Sequence, residues 1–189
     1  KTYAVREAGG VILLDLRSAG GLGVTAPPAA FTFRVVSNES VAAFIKELVL
    51  EIEPGSPQPA YHPGEYMQFD IPVYPERFLR GIQIQEPFAS IWERQRIFDF
   101  AAGNPIPCRR NYSFASNPDT DPYPRFNVRI ALPPAGSAAS AGAGSTYIFN
   151  LNPGDLVSAI GPFGDFHIRD TQREMIYLGG GAGMAPLRA

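Results

Sequence analysis

Arg110-Asn111-Tyr112-Ser113 places a permanent cation, an aromatic ring and a hydroxyl in one short run. A guanidinium presents a planar fork of donors that matches phosphate oxygens. On a strand alternate residues share a face, so Tyr112 falls beside Arg110 and its ring is available to a flat cofactor. Ser113 offers a hydroxyl to the edge of such a ring. The plain alternative is an ordinary strand with one exposed arginine and one half-buried tyrosine.

Two glycine-rich segments could complete a nucleotide site. In Gly142-Ala143-Gly144-Ser145-Thr146, a glycine approach to a helix start would leave amides pointing at a phosphate. The helix end adds roughly half a positive charge. Ser145 reads as the N-cap of a short helix that Pro153 stops. The competing reading is a linker, because residues 133–144 are only Pro, Ala, Gly and Ser. The second segment, Gly179-Gly180-Gly181-Ala182-Gly183-Met184-Ala185-Pro186, follows the apolar run Met175–Leu178. Such a run reads as a buried parallel strand, and its glycines permit close backbone approach to a diphosphate or ribose. The spacing is G-x-G-x-x-P, so the strict Rossmann fingerprint is absent.

Positioning these residues requires short strands. The chain carries 19 Gly and 19 Pro with 18% charged residues, which long helices tolerate poorly. Alternation predicts strands at 31–35, 45–52, 64–72, 110–116, 126–131 and 156–160, with turns at Ser37–Ser40, 54–63 and 117–122. Gly161-Pro162-Phe163-Gly164 ends the last strand. Residues 73–107 are less regular, with one or two helical turns within 88–98. Trp92 there either covers a ligand or anchors the segment. Residues 1–30 form a lead-in with loop composition at 19–23 and 26–28 and one strand at 11–16. A change of character near residue 172 divides an alternating-strand domain over 31–172 from an α/β start over 173–189.

The composition excludes several functions. A net charge of −2 offers no general attraction to nucleic acid. The run Val11–Leu14 is far too short to cross a bilayer. A single cysteine, Cys108, cannot hold an iron–sulfur cluster, which needs about four thiolates. Two histidines and one cysteine leave no zinc site, so no metal ligand is assigned. His62, His167, Asp70, Asp165 and Asp170 read as surface or turn residues, and Cys108 as a bystander. No catalytic acid or base is assigned either.

Taken together and in this order, the motifs resemble the FAD-binding domain of the ferredoxin–NADP reductase superfamily. More narrowly, they are similar to the F subunits of sodium-translocating NADH:quinone reductases. The segments that carry the likeness are RNYSFAS (110–116), NVRIA (127–131), STYIFNLNPGD (145–155), GPFGDF (161–166) and EMIYLGGGAGMAPLR (174–188). The resemblance covers about residues 31–189 and implies a mainly β fold: an antiparallel Greek-key FAD-binding barrel, then the first strand and turn of an α/β nucleotide-binding domain.

It also implies roles. Arg110 would pair with the FAD diphosphate, and Tyr112 and Ser113 would contact the isoalloxazine. Asn127, Val128 and Arg129 would line the ribityl side, with Gly144, Ser145 and Thr146 at the diphosphate. Gly181, Gly183, Met184 and Pro186 would begin a partial NADH site. The whole family member carries a membrane helix and a [2Fe–2S] domain, absent from this chain. It passes electrons from NADH through FAD to that cluster and on to quinone, within a respiratory complex at the cytoplasmic face of the bacterial inner membrane. This chain by itself would hold FAD, bind NADH poorly and not insert in the membrane. Two other readings stay open: a soluble reductase feeding an oxygenase, and a cofactor-free barrel that serves as an interaction module.

Overall fold

The computed structural model describes residues 4–8, 11–15 and 28–189. Strands β1 (Ala4–Ala8) and β2 (Val11–Asp15) pair as an antiparallel hairpin, so the lead-in holds two strands where the pattern predicts one. Its loop-like stretches at 19–23 and 26–27 lie outside the described residues.

A six-stranded antiparallel sheet forms the main body. It contains β3 (Ala29–Ala42), β4 (Ile45–Ile52), β5 (Tyr66–Ile71), β8 (Cys108–Ser113), β9 (Arg125–Arg129) and β10 (Leu156–Phe163). The order β8-β5-β10-β3-β4-β9 seats the last strand between β5 and β3, as a Greek key does. The edge strands meet through the bridge Phe114–Phe126, where the Ala115 amide donates to the Arg125 carbonyl at 2.8 Å. The curled sheet thus closes at one point. Alternation is clear on β5, where Met67, Phe69 and Ile71 are buried. With Phe33, Leu48, Leu50, Phe114, Phe126 and Val128 they form the core, each large side chain contributing about 1.5–3 kcal/mol by burial.

The turn expected at Ser37–Ser40 lies inside β3. These residues pair with Lys46–Val49, a register shift falls between Val35 and Ser37, and the hairpin turns at Ala43-Phe44 instead. The reason is Asn38: its side chain is buried and its amide bonds the carbonyls of Ile148 and Leu151, so a turn-forming residue is used inside the fold.

Residues 73–107 form an appendage. Strands β6 (Tyr74–Phe78) and β7 (Ala101–Asn104) pair beside helix α1 (Phe88–Arg94). Trp92 is wholly buried, donates its indole N–H to the Ala43 carbonyl and stacks on Phe149 with ring centres 6.0 Å apart. It anchors the segment.

Met175–Leu178 is not a strand. Residues 164–180 are irregular and exposed, with Ile176 84% and Leu178 91% accessible. A strand buried on both faces needs neighbours to pair with, and among the described residues none is placed beside it. The chain ends in a 3₁₀ turn over Gly181–Met184 and helix α3 (Ala185–Arg188), with Pro in its first turn. Among the described residues no helix is long and apolar enough to cross a membrane.

Candidate functional site

Strand β8 carries the arginine and the tyrosine on one face. The register pairs Arg110 with Phe69 and Tyr112 with Met67, both core residues, so this face looks inward at the end of the barrel. Ser113 pairs with Tyr66 and has the opposite parity. The tetrad is therefore split between the two sides of its strand, with Arg109 on the outer side in an ion pair with Asp70 at 2.6 Å.

Helix α2 (Ala143–Phe149) closes that end of the barrel. A Cβ added at Gly144 would stand 2.6 Å from Arg110 Cγ and 3.3 Å from the Tyr112 hydroxyl. Only glycine lets helix and strand come this close. Gly142 caps the helix, not Ser145 as expected. Ser145 Oγ accepts from the Ala131 amide at 3.0 Å and donates to the Gly142 carbonyl at 3.1 Å. Its hydroxyl ties the helix to the end of β9. The first amide with a partner in the helix is that of Thr146, which donates to Gly142 at 3.0 Å. The amides of Ala143, Gly144 and Ser145 therefore stay without partners among the described residues, as at any helix start. Thr146 Oγ1 is buried and has no partner either.

Two tyrosines that the sequence did not single out complete this end. The Tyr74 hydroxyl donates to the Ala143 carbonyl at 2.6 Å, and its ring stacks on Tyr147 at 6.4 Å. No spacing signal relates them, since 69 positions separate Tyr74 from Ala143. Burial pushes the Tyr112 phenol up to about 12, against the pull of the Arg110 charge. Tyr112 is thus a neutral ring over the whole physiological range. Arg110 donates to the neighbouring Arg109 carbonyl at 2.8 Å and has no carboxylate partner among the described residues. An open groove of about 540 Å³ borders this end of the barrel, lined by Asp70, Cys108, Arg109 and Tyr147, but not by Arg110 or Tyr112.

Strand β9 lies across the seam from β8. Val128 is a core side chain with no exposure, Arg129 is exposed, and Asn127 Oδ1 is buried without a partner. The glycine turn reaches the same seam. A Cβ at Gly181, whose φ is +56°, would lie 3.6 Å from Ile45, which pairs with Arg129. Arg188 bonds the Ala115 carbonyl and stands 3.5 Å from Asp121. The run that holds Gly181, Gly183, Met184 and Pro186 thereby follows β9, from Ile45 opposite its Arg129 end to Ala115 opposite its Arg125 end.

No family model matches the chain. Among curated proteins, the F subunit of the Na(+)-translocating NADH-quinone reductase of Methylococcus capsulatus is 42% identical over 157 residues, which is 82% of this chain and 38% of that protein. The chain is a homologue of these F subunits. The corresponding protein of Shewanella putrefaciens is 39% identical, with half of its length covered. The chain thus spans between about two-fifths and a half of the F subunits it matches. Solved structures agree on the fold. The flavohem-like FAD/NAD binding domain of nitric oxide dioxygenase from Vibrio cholerae aligns with a TM-score of 0.58 at 22% identity, over 85% of this chain and 55% of that one. Amycolatopsis cytochrome P450 reductase GcoB aligns with a TM-score of 0.53 at 26% identity, over 90% and 40%. The mainly β barrel is of the ferredoxin-reductase type.

Proposed function

We propose that this chain is the FAD-binding part of an NADH-oxidising electron-transfer flavoprotein, like the F subunits it resembles. The observation that carries it is the packing of Gly144 against Arg110 and Tyr112 at the start of α2. The residues present fit a dinucleotide. A guanidinium without an acid partner, three unpartnered amides and the orphaned Thr146 hydroxyl form a donor set at one place, and an anionic diphosphate answers it. Tyr112, neutral and half-buried, offers its ring to the isoalloxazine system. Asn127 and the backbone of Val128 and Arg129 stand across the seam for the ribityl chain, while Ser113 takes the outer side. Ser145 contributes its amide, its hydroxyl being held by Ala131 and Gly142.

When bound, FAD supplies the exchange between two-electron and one-electron chemistry. The chain's residues hold and orient it. Gly181, Gly183, Met184 and Pro186, in the run that follows β9, form the start of the surface that presents NADH. No acid or base is needed for a hydride to move. The acceptor is an iron–sulfur centre and then quinone, and the partners are the other subunits of a membrane complex at the cytoplasmic face. The names of the relatives support quinone as acceptor and other subunits as partners, while the iron–sulfur centre and the cytoplasmic face rest on the family resemblance alone.

A visible absorption spectrum of the purified chain tests the proposal. A two-banded flavin spectrum, or its appearance on adding FAD to flavin-free protein, is expected. Protein that takes up no flavin from excess FAD would overturn the reading and favour the cofactor-free module.

A further inference from the structure

The end of α2 remote from Arg110 abuts a second cleft, built on side chains that flavin binding does not use. Asn38 on β3 and Lys46 on β4 share the inner face of the sheet, for Asn38 pairs with Leu48 and Lys46 with Ser40. Both are buried, at 7% and 2% exposure. Asn38 Nδ2 donates to the carbonyls of Ile148 at 2.7 Å and Leu151 at 2.9 Å. Lys46 Nζ donates to the Phe149 carbonyl at 3.2 Å and lies 5.6 Å from the centre of its ring. These bonds satisfy the last carbonyls of the helix. They use both amide hydrogens of Asn38 but leave its Oδ1 buried with no partner. An ammonium has three donors, and Lys46 uses one.

The charge is equally unanswered, because among the described residues no carboxylate pairs with Lys46. Burial lowers its pKa to about 8, the response of a cation held away from water without a counter-ion. A cleft of about 430 Å³ opens on Lys46 and Asn38. Its lining includes Arg77, which stacks on the Tyr74 ring at 4.9 Å and has no acid partner among the described residues. The exposed Glu39 is the one carboxylate in the lining, so two cations face one anion there.

We propose that this cleft binds a small oxyanion, a carboxylate or phosphate flanked by a hydroxyl or amino donor. Lys46 and Arg77 take the anion oxygens, and Asn38 Oδ1 accepts from the adjacent donor. The site is independent of the flavin reading and stands or falls without it.

Titration of the ¹⁵N-labelled chain with glycolate, acetate and inorganic phosphate, followed by NMR, tests it. Saturable shifts confined to residues around Asn38, Lys46, Arg77 and Phe149 are expected. Glycolate should bind about two- to tenfold more tightly than acetate, because only glycolate has a donor for Asn38. Phosphate saturating at lower concentration than either would assign the site to phosphate esters, and the reverse to hydroxy acids. Lys46→Met should weaken binding at least about tenfold. Arg77→Gln, a rim change that leaves the core intact, should weaken it severalfold. Binding should also fade above about pH 8 as Lys46 loses its proton. Two results would overturn the proposal: no saturable shift in the unaltered chain at tens of millimolar probe, or responses that follow ionic strength and are the same with chloride and in Arg77→Gln.

Discussion

Arg110 and Gly144 define the site through one close approach, so their substitution should separate charge from shape. Arg110→Met removes charge-assisted bonds worth about 1.5–3 kcal/mol. The Kd for FAD, measured by quenching of flavin fluorescence, should rise about 10- to 100-fold. Gly144→Ala keeps the charge but sets a methyl 2.6 Å from Arg110 Cγ, and should weaken FAD about as much by displacing the guanidinium. Gly81→Ala, which meets nothing within 4 Å, is the control and should change nothing. Lys46 and Tyr112 give a pH signature of opposite signs. The Lys46 pKa falls on folding from 10.5 to about 8, so its contribution is fully present above 10.5 and lost as pH falls through 8. The Tyr112 pKa rises from 10.0 to about 12, so its contribution is full below 10 and lost as pH climbs towards 12. The urea midpoint should therefore rise from about pH 7 to pH 9.5 in the unaltered chain and stay flat in Lys46→Met.

At the scale of elements, α2 is held at both ends: Ser145 and Tyr74 at its start, Asn38 and Lys46 at its finish. Ser145→Ala would orphan the Ala131 amide and a share of the Gly142 carbonyl. It should cost about 1–3 kcal/mol in urea unfolding, while FAD affinity changes less than in Arg110→Met. That contrast distinguishes a hydroxyl that braces the helix from one that touches the diphosphate. The same helix shows what can be read from sequence. Strands β4, β5, β8, β9 and β10 were legible because period-two alternation follows from burial of one face. Gly144 beside Arg110 was legible as two motifs but not as a contact, since no local rule relates a helix start to a strand more than thirty positions earlier. Asn38 was misread as a turn residue because its partners, Ile148 and Leu151, are distant in sequence. Lys46 did leave a signal: it shares parity with Leu48 and Leu50 on β4, a cation on a wholly apolar face.

Across the whole molecule, the curled barrel with its appendage contrasts with an exposed run over 164–180. Brief trypsin treatment should cut first at Arg169 and Arg173, both exposed in that run. Flavin should stay with the resistant barrel, as mass spectrometry and the visible spectrum would show. Met175–Leu178 illustrates the limit of reading strands from apolar runs: composition marks a segment suited to burial between neighbours, but the neighbours are a property of the fold.

The seam between β8 and β9 has a consequence for handling the protein. Beyond the Phe114–Phe126 bridge the two edge strands part, and among the described residues β8 from Cys108 to Tyr112 pairs only with β5. An unpaired sheet edge is a template on which a second chain can add its own strand. A dinucleotide lying along the seam would act as a lid on that template. Stripped of it, the barrel should turn sticky, its light scattering growing with concentration and subsiding when FAD is restored.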